Sequence, residues 1–481
     1  MRRVRRPFRS QLERGLDRTP RGRVEIAAAS AFFAILALAS LLTVQPASAV
    51  PSFARQTGQP CAACHTAFPE LTPFGRRFKL AGYTLQGGDS KLPPIAAMLL
   101  PTFNHTASSY LPGPPPEQPA GLHANNNFVT QQVTGFYAGQ VYGNLGAFIQ
   151  VTGDPVGGAV FLDSSDVRYV DSFKLFDKDA YWGVTVNNFP TVQDVWNTTP
   201  AFGWPQATSS VAPLFTPPLT RIEQGFGTGV MGAGAYVFWN DMLYAELTAY
   251  AGQSKSLQEA LGLEPGANPD LLNGAAPYWR LAIEPHWGDH YLMIGTFGMY
   301  GQIIPSETFG FGYDTYTDVG FDSQYQYDGD KFSVTVKVTD ILERQRLNAS
   351  SNLAFPGGPL ASNLNNRLNS FKANASFVWD HTYSVAGGYF NVSGTSDAGL
   401  YSSSSLSDSP NGDGLIADIA YLPFSHGSLG PYSTWNARLG VQYTHYLHLY
   451  GGTTDFDGSG LGAMHNASGN DTLMLYAWLM F

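Results

Sequence analysis

The sequence predicts an all-β fold, a transmembrane antiparallel β-barrel of about 16 strands. Three observations predict it. Polar and apolar residues alternate in many stretches from about residue 95 onward. The links between those stretches alternate between tight turns and long Pro-, Gly- and Ser-rich loops. The chain ends on an alternating strand closed by an aromatic residue, Phe481. Composition agrees, with charged residues at 13%, aromatic residues at 14%, 52 Gly and 25 Tyr in 481 residues. Beyond the N-terminus no apolar run is long enough to cross a bilayer as a helix.

Residues 1–49 read as a signal peptide. Arg2, Arg3, Arg5, Arg6 and Arg9 open a basic region, Ile26 to Leu42 is apolar, and Ala47-Ser48-Ala49 is a small-x-small cleavage site. The mature chain then starts at Val50. The nine Arg and three acidic residues of the signal come off 27 basic and 37 acidic residues, leaving 18 against 34. An acidic exported chain does not suit nucleic-acid binding and can attract cations.

Cysteine occurs only twice, in Cys61-Ala62-Ala63-Cys64-His65. C-x-x-C-H is the attachment signature of c-type haem. Two thiols reach the two vinyl groups of one porphyrin, and the adjacent imidazole becomes the proximal ligand of its iron. The sequence therefore predicts one covalently bound haem c on Cys61, Cys64 and His65. A Cys61–Cys64 disulfide beside a chance histidine is the alternative. Residues 50–92 form the haem domain and are too few to bury a core alone. Thr72-Pro73 reads as an N-cap followed by Pro at the first helical position, and Gly82 as a stop, giving a helix over 73–81. Phe68, Leu71, Phe74, Phe78, Leu80 and Tyr83 offer apolar surface to a porphyrin. Arg76, Arg77 and Lys79 are candidate propionate contacts, or an ordinary solvated face. After His65 this domain has no further His and no Met, so a second iron ligand must come from elsewhere or be absent. Met98 is the candidate nearest in sequence, followed by His105 and His123. The domain is expected to dock in or against the barrel as a plug.

The barrel occupies 93–481. Phe332, Val334, Val336 and Val338 alternate with Ser333, Thr335, Lys337 and Thr339, and similar alternation runs from Leu243 to Tyr250 and from Trp435 to Thr444. In a soluble sandwich the apolar face would meet a core; in a barrel it meets lipid and the polar face lines the lumen. Strands are placed near 95–105, 127–138, 144–153, 165–174, 179–187, 227–238, 242–252, 276–287, 290–301, 315–326, 331–342, 366–379, 382–394, 414–423, 434–449 and 471–481. Residues 239–241, 288–289, 328–330 and 380–381 are tight turns. Segments 188–226, 253–275, 343–365, 395–413 and 450–470 read as long loops, and the link 424–433 is longer than a turn should be. In the last strand Leu473, Leu475, Ala477, Leu479 and Phe481 share one face. An even strand number puts both termini on one side, the periplasmic side if the haem domain lies there.

Pro51-Ser52-Phe53-Ala54-Arg55-Gln56-Thr57-Gly58, the Cys61–His65 motif, and Phe68-Pro69-x-Leu71-x-x-Phe74-Gly75-Arg76-x-Phe78-Lys79-x-x-Gly82-Tyr83 together resemble the fused monohaem cytochrome–porins of iron-oxidising bacteria. The barrel half matches that family in length, pattern and terminus only. The resemblance implies an iron(II) oxidase type of oxidoreductase in the outer membrane. Extracellular Fe(II) would be the donor and a periplasmic cytochrome or copper protein the acceptor. Asp455 and Asp457, or Asp408 and Asp413, are candidate carboxylates for Fe(II), although solvated loop carboxylates are commoner. A general conduit with another donor, a haem-plugged diffusion porin, and a soluble cytochrome fused to a β-sandwich are the rival readings.

Overall fold

A computed structural model describes residues 51–88, 92–108, 122–123, 125–213, 216–226, 229–261, 270–426, 435–456 and 465–481. The expected signal peptide at 1–49 and most of the 424–433 link lie outside the described residues. Sixteen long strands make one antiparallel sheet. They are β1 (Ile95–Thr106), β2 (Asn127–Tyr142), β3 (Leu145–Asp154), β4 (Asp166–Leu175), β5 (Lys178–Asn187), β6 (Val230–Trp239), β7 (Leu243–Gly252) and β8 (Ala275–Ile283). They continue as β9 (His290–Ile304), β10 (Asp314–Asp328), β11 (Phe332–Arg346), β12 (Asn365–Trp379), β13 (Tyr383–Gly394), β14 (Gly412–Tyr421), β15 (Asn436–His448) and β16 (Thr472–Met480). Each pairs with its neighbour in sequence, and β1 pairs with β16 in a register that sets Met98 opposite Met480. The sheet thus closes on itself and leaves no open edge along its long strands.

The two faces separate the barrel from the sandwich. On β11, Ser333, Thr335 and Lys337 are buried, whereas Val336, Val338 and Leu342 are exposed. The same inversion recurs at Leu247 on β7, Ile294 on β9, Val385 on β13 and Ile419 on β14, all exposed. A sandwich would bury that apolar face; here it forms the outer surface and the polar face turns inward. Exposed aromatic residues, Tyr142, Phe176, Trp287, Trp379, Tyr383 and Tyr421, flank the short turns, as in the girdle of a membrane barrel. In those turns Asn240, Asp241, Asp380 and His381 take left-handed backbone angles, φ 56°, 49°, 50° and 48°. Positive φ at both central residues is what a two-residue hairpin turn requires.

Three expectations are corrected. The stretch 276–287 is not one strand: β8 stops at Ile283, and His286–Trp287 pairs only briefly with β9. Pro285 lies in the gap and has no N–H for a ladder. A short strand, Ala159–Leu162, pairs with the end of β3 and carries too few residues to show a period. The largest correction concerns 188–226, expected as an outer loop. Much of it is buried, including Val192, Gln193, Asp194, Trp196 and Thr199, and it runs into the lumen against the wall. Its Asp194 carboxylate accepts the amides of Trp196, Thr198 and Thr199 and lies 3.3 Å from Arg280 on β8. Arg280 is fully buried and also pairs with Asp322 on β10 at 2.7 Å. Farther along, the helix Arg221–Gln224 is held by Asp318, which accepts the Ile222 amide at 2.6 Å, and by a 2.7 Å ion pair of Glu223 with Lys372.

Replacing Arg280 should expose how much depends on this anchor. Removing one member of a buried charge network costs about 3–5 kcal/mol because its partners stay buried and unpaired. Arg280→Ala should lower the temperature at which the folded band disappears in semi-native electrophoresis. It should also make 188–226 more protease-sensitive than it is in the parent chain. An unchanged melting temperature and digestion pattern would contradict the anchoring.

Candidate functional site

The N-terminal segment 51–88 lies inside the barrel at the end that carries the short turns. Its helices are α1 (Pro51–Thr57), α2 (Cys61–Cys64) and α3 (Pro73–Leu80). Thr72 caps α3 by accepting the Gly75 amide at 3.1 Å and donates to the Ala63 carbonyl at 2.6 Å. The stop falls one residue before the expected 81, and Gly82 follows with φ +68°. Gly75 is required by packing rather than by φ. A Cβ there would sit 2.1 Å from the Cys64 carbonyl oxygen, so glycine lets α3 press directly on the cysteine helix.

Polar residues of the wall and of the inward segment 188–226 fasten the N-terminal segment through its backbone. Arg438 of β15 donates to the Phe68 carbonyl at 2.8 Å, Asn197 to that of Pro69 at 3.0 Å, and Gln326 of β10 to that of Leu71 at 3.1 Å. Arg168 of β4 donates to the Lys79 carbonyl at 3.2 Å. Glu70, buried, meets Lys337 at 3.2 Å and Ser376 at 3.1 Å. Tyr83 donates to Asp166 at 2.8 Å. At the turn end Ala62 donates its amide to the Ser425 carbonyl at 2.9 Å, and the ring Nδ1 of His381 lies 3.2 Å from the His65 carbonyl.

Between segment and wall lies a cavity of about 440 Å³, inside the range of roughly 300–1,000 Å³ typical of small-molecule and cofactor pockets. Cys64 and His65 line it from the segment, with Phe53, Phe68, Phe78 and Tyr83. From the wall come Met98 of β1, Phe136 of β2, Phe148 of β3, and Trp478 and Met480 of β16. Gln150, Asp163, Asn197, Gln206 and Lys79 line its polar part. The rings are closely set: Phe53 and Phe78 have centroids 4.8 Å apart, Phe53 and Tyr83 5.6 Å, and Phe136 and Phe148 5.6 Å. The wall elsewhere turns Ser, Thr, Lys and Gln inward together with further apolar clusters around Tyr236 and Met293 and around Tyr278 and Phe297; the seam from β16 through β3 is the apolar cluster that lines this cavity.

His65 is set up as a donor ligand. Its Nδ1 lies 3.3 Å from the Glu70 carbonyl, which can only accept, so Nδ1 carries the proton and Nε2 keeps its lone pair. Burial pushes the imidazole down to about 4, so it is neutral at physiological pH. Burial also pushes the Cys61 and Cys64 thiols up to about 12. Cys61 itself is buried against Ala54, near Asn436, and does not line the cavity.

The expected contacts divide. Met98 is in the cavity wall, as is Lys79, whose ammonium donates to the carbonyls of Val192 and Asp194 at 2.7 Å each. Arg76 and Arg77 are not there. They lie on the opposite face of α3 from Gly75, Phe78 and Lys79. Arg76 pairs with Glu284 at 3.1 Å, and Arg77 forms an exposed pair with Asp241. Their positive charge is already matched by the barrel. His105 bonds Asn126 on the exposed side of the structure, and His123 bonds Asn127 through its backbone; neither lines the cavity. Asp413 pairs with His448, and Asp455 bonds Ser407. Asp408 is half-buried, and Asp457 lies outside the described residues. Among the described residues no three His, Cys, Asp or Glu side chains converge as a metal site. Trp478, Met480, Phe136 and Phe148 were not singled out from sequence. Their signal is an aromatic or apolar residue on the inward face of a barrel strand.

Gly75→Ala should push α3 off the Cys64 carbonyl and loosen the segment. Trypsin should then cut folded protein faster at Arg76, which is buried in the parent. Equal protection in both would show that the close approach is dispensable.

No family model and no curated protein matches the chain. Among solved structures, the outer membrane channel DcaP of Acinetobacter baumannii is similar with a TM-score of 0.44 and 13% identity, over 82% of this chain and 100% of that one. OmpF of Salmonella typhi, solved with daunomycin, has a TM-score of 0.41 and 13% identity, over 80% and 97%. An anion-selective porin from Comamonas acidovorans has a TM-score of 0.39 and 9% identity, over 80% and 98%. The assignment of a closed 16-strand barrel rests on the strand pairing itself.

Proposed function

We propose that this chain is an outer-membrane electron conduit whose luminal N-terminal segment carries one covalent haem c, and that its donor is extracellular Fe(II). One observation carries the reading. An apolar seam of the barrel wall, one of several buried apolar clusters, faces the C-x-x-C-H segment across a cavity that Cys64 and His65 line. An apolar patch inside a polar tube calls for an apolar occupant, and the motif names one.

The residues present fit that group. Cys61 and Cys64 would hold it by thioether bonds and His65 would ligate its iron. The rings of Phe53, Phe78, Phe136 and Phe148 would exclude water from its faces. Lys79, whose amine burial and the nearby Arg168 push down to about 7, would offer a hydrogen-bond donor to a propionate. A bound haem c supplies a one-electron couple between an external donor and a periplasmic carrier. The chain's own part is to fix that couple inside a wall about 30 Å thick in its apolar portion and to keep the lumen shut around it. The inward segment 188–226 and the N-terminal segment share that second task. With β1 beginning and β16 ending at the short-turn end, both ends of the barrel sheet face the periplasm in this reading. Fe(II) as donor rests on the family resemblance of residues 51–83.

A second reading, a diffusion porin with the N-terminal segment as a plug, draws on the barrel alone. A closed 16-strand barrel with an inward-folded segment serves that reading at least as well.

In a host that attaches haem c, the denatured chain should keep a peroxidase-active haem on gels, and Cys61→Ala with Cys64→Ala should abolish it. A colourless parent band would end the reading. Fe(II) mixed with the oxidised protein should yield the reduced spectrum at one electron per chain. Reduction by organic donors but not by Fe(II) would favour a general conduit. In planar bilayers the parent should pass little ion current; a large steady conductance would favour the porin.

A further inference from the structure

The N-terminal segment has a single histidine and no methionine, so a second histidine or methionine ligand must come from the cavity wall. Apart from His65 and Cys64, the sulfur or imidazole donors lining the cavity are Met98 and Met480. They are register partners across the β1–β16 closure and both are buried, at 4% and 7% exposure. They differ in one respect. The indole Nε1–H of Trp478 donates to Met98 Sδ at 2.6 Å. Trp478 is itself fixed edge-on to Phe68, with ring centroids 5.3 Å apart. Phe68 is held in turn by Arg438 through its carbonyl. The Met98 thioether is thus oriented by a chain of contacts that begins on the motif's own segment.

Resting on the haem reading above, we propose that Met98 supplies the second iron ligand through Sδ and that Trp478 is its positioning residue. A thioether has two lone pairs; one accepts from Trp478 and the other remains for iron. Methionine opposite histidine raises the potential of a c-type haem. A hydrogen bond to the sulfur withdraws donor density and raises it further, the outer-shell effect seen at metal ligands generally. Both push toward an iron that is readily reduced, as a haem fed from outside must be.

The test uses the full-length haem protein and three variants. Met98→Leu and Met480→Leu conserve volume, and Trp478→Phe keeps an aromatic ring while deleting the donor. Covalent haem content and the folded electrophoretic band are recorded for each. The oxidised parent should show the sulfur-to-iron charge-transfer band in the red. Met98→Leu should lose it and fall to a lower midpoint potential. Met480→Leu should keep it. Trp478→Phe should keep the band with a midpoint shifted downward. A band that survives Met98→Leu, is absent from the parent, or is lost in Met480→Leu alone would overturn the ligand assignment. An unshifted midpoint in Trp478→Phe would overturn the positioning role. Absence of covalent haem from the parent would instead remove the haem reading itself, and this inference with it.

Discussion

A chain of residues 51–88 cannot enclose a core of its own, so the inside of the barrel is its core. Everything else in the lumen follows from that constraint. The wall must offer apolar surface where the segment is apolar and hydrogen bonds where it is polar. It does the first along the seam of β16, β1, β2 and β3 and again where Val170, Tyr236, Tyr244 and Met293 gather with Leu80. It does the second through Arg438, Gln326 and Arg168, joined by Asn197 of the inward segment, which reach the backbone carbonyls of Phe68, Leu71, Lys79 and Pro69 in that order.

Charge in the lumen is organised by the same need. Arg168 and Arg280 are fully buried. Each is matched by carboxylates, Asp166 for the first and Asp194 with Asp322 for the second. Buried charge is tolerable only when paired and hydrogen-bonded. These pairs lie where wall, N-terminal segment and inward segment 188–226 meet. They bind three stretches distant in sequence into one interior.

Much of this architecture was legible in the sequence. Alternation between Phe332 and Thr339 gives the strand and its two faces, and Asp380-His381 gives the turn. Thr72-Pro73 with Gly82 bounds α3 within a residue. The motif Cys61–His65 is local, and so is its chemistry. What depends on distant partners was not legible. The 188–226 segment is rich in Pro and Thr and reads as an exposed loop. It is buried because Asp194 satisfies its own neighbouring amides and Arg280 waits on β8. Arg76 and Arg77 look like anion contacts until the helix is placed, when their face of α3 meets Glu284 and Asp241. Trp478 sits among outward-pointing leucines in sequence, and only the inward neighbours Met98 and Phe68 give it a role.

The central claim is that the cavity beside Cys64 and His65 holds a porphyrin. An experimental density map of the mature protein, purified from a host that attaches haem c, tests it most directly. The account predicts a flat, metal-centred density joined to Cys61 and Cys64, with His65 on its iron and the seam of Met98, Phe136, Phe148 and Trp478 around it. A cavity filled by water or by rearranged side chains, with the two thiols free or joined to each other, would contradict it.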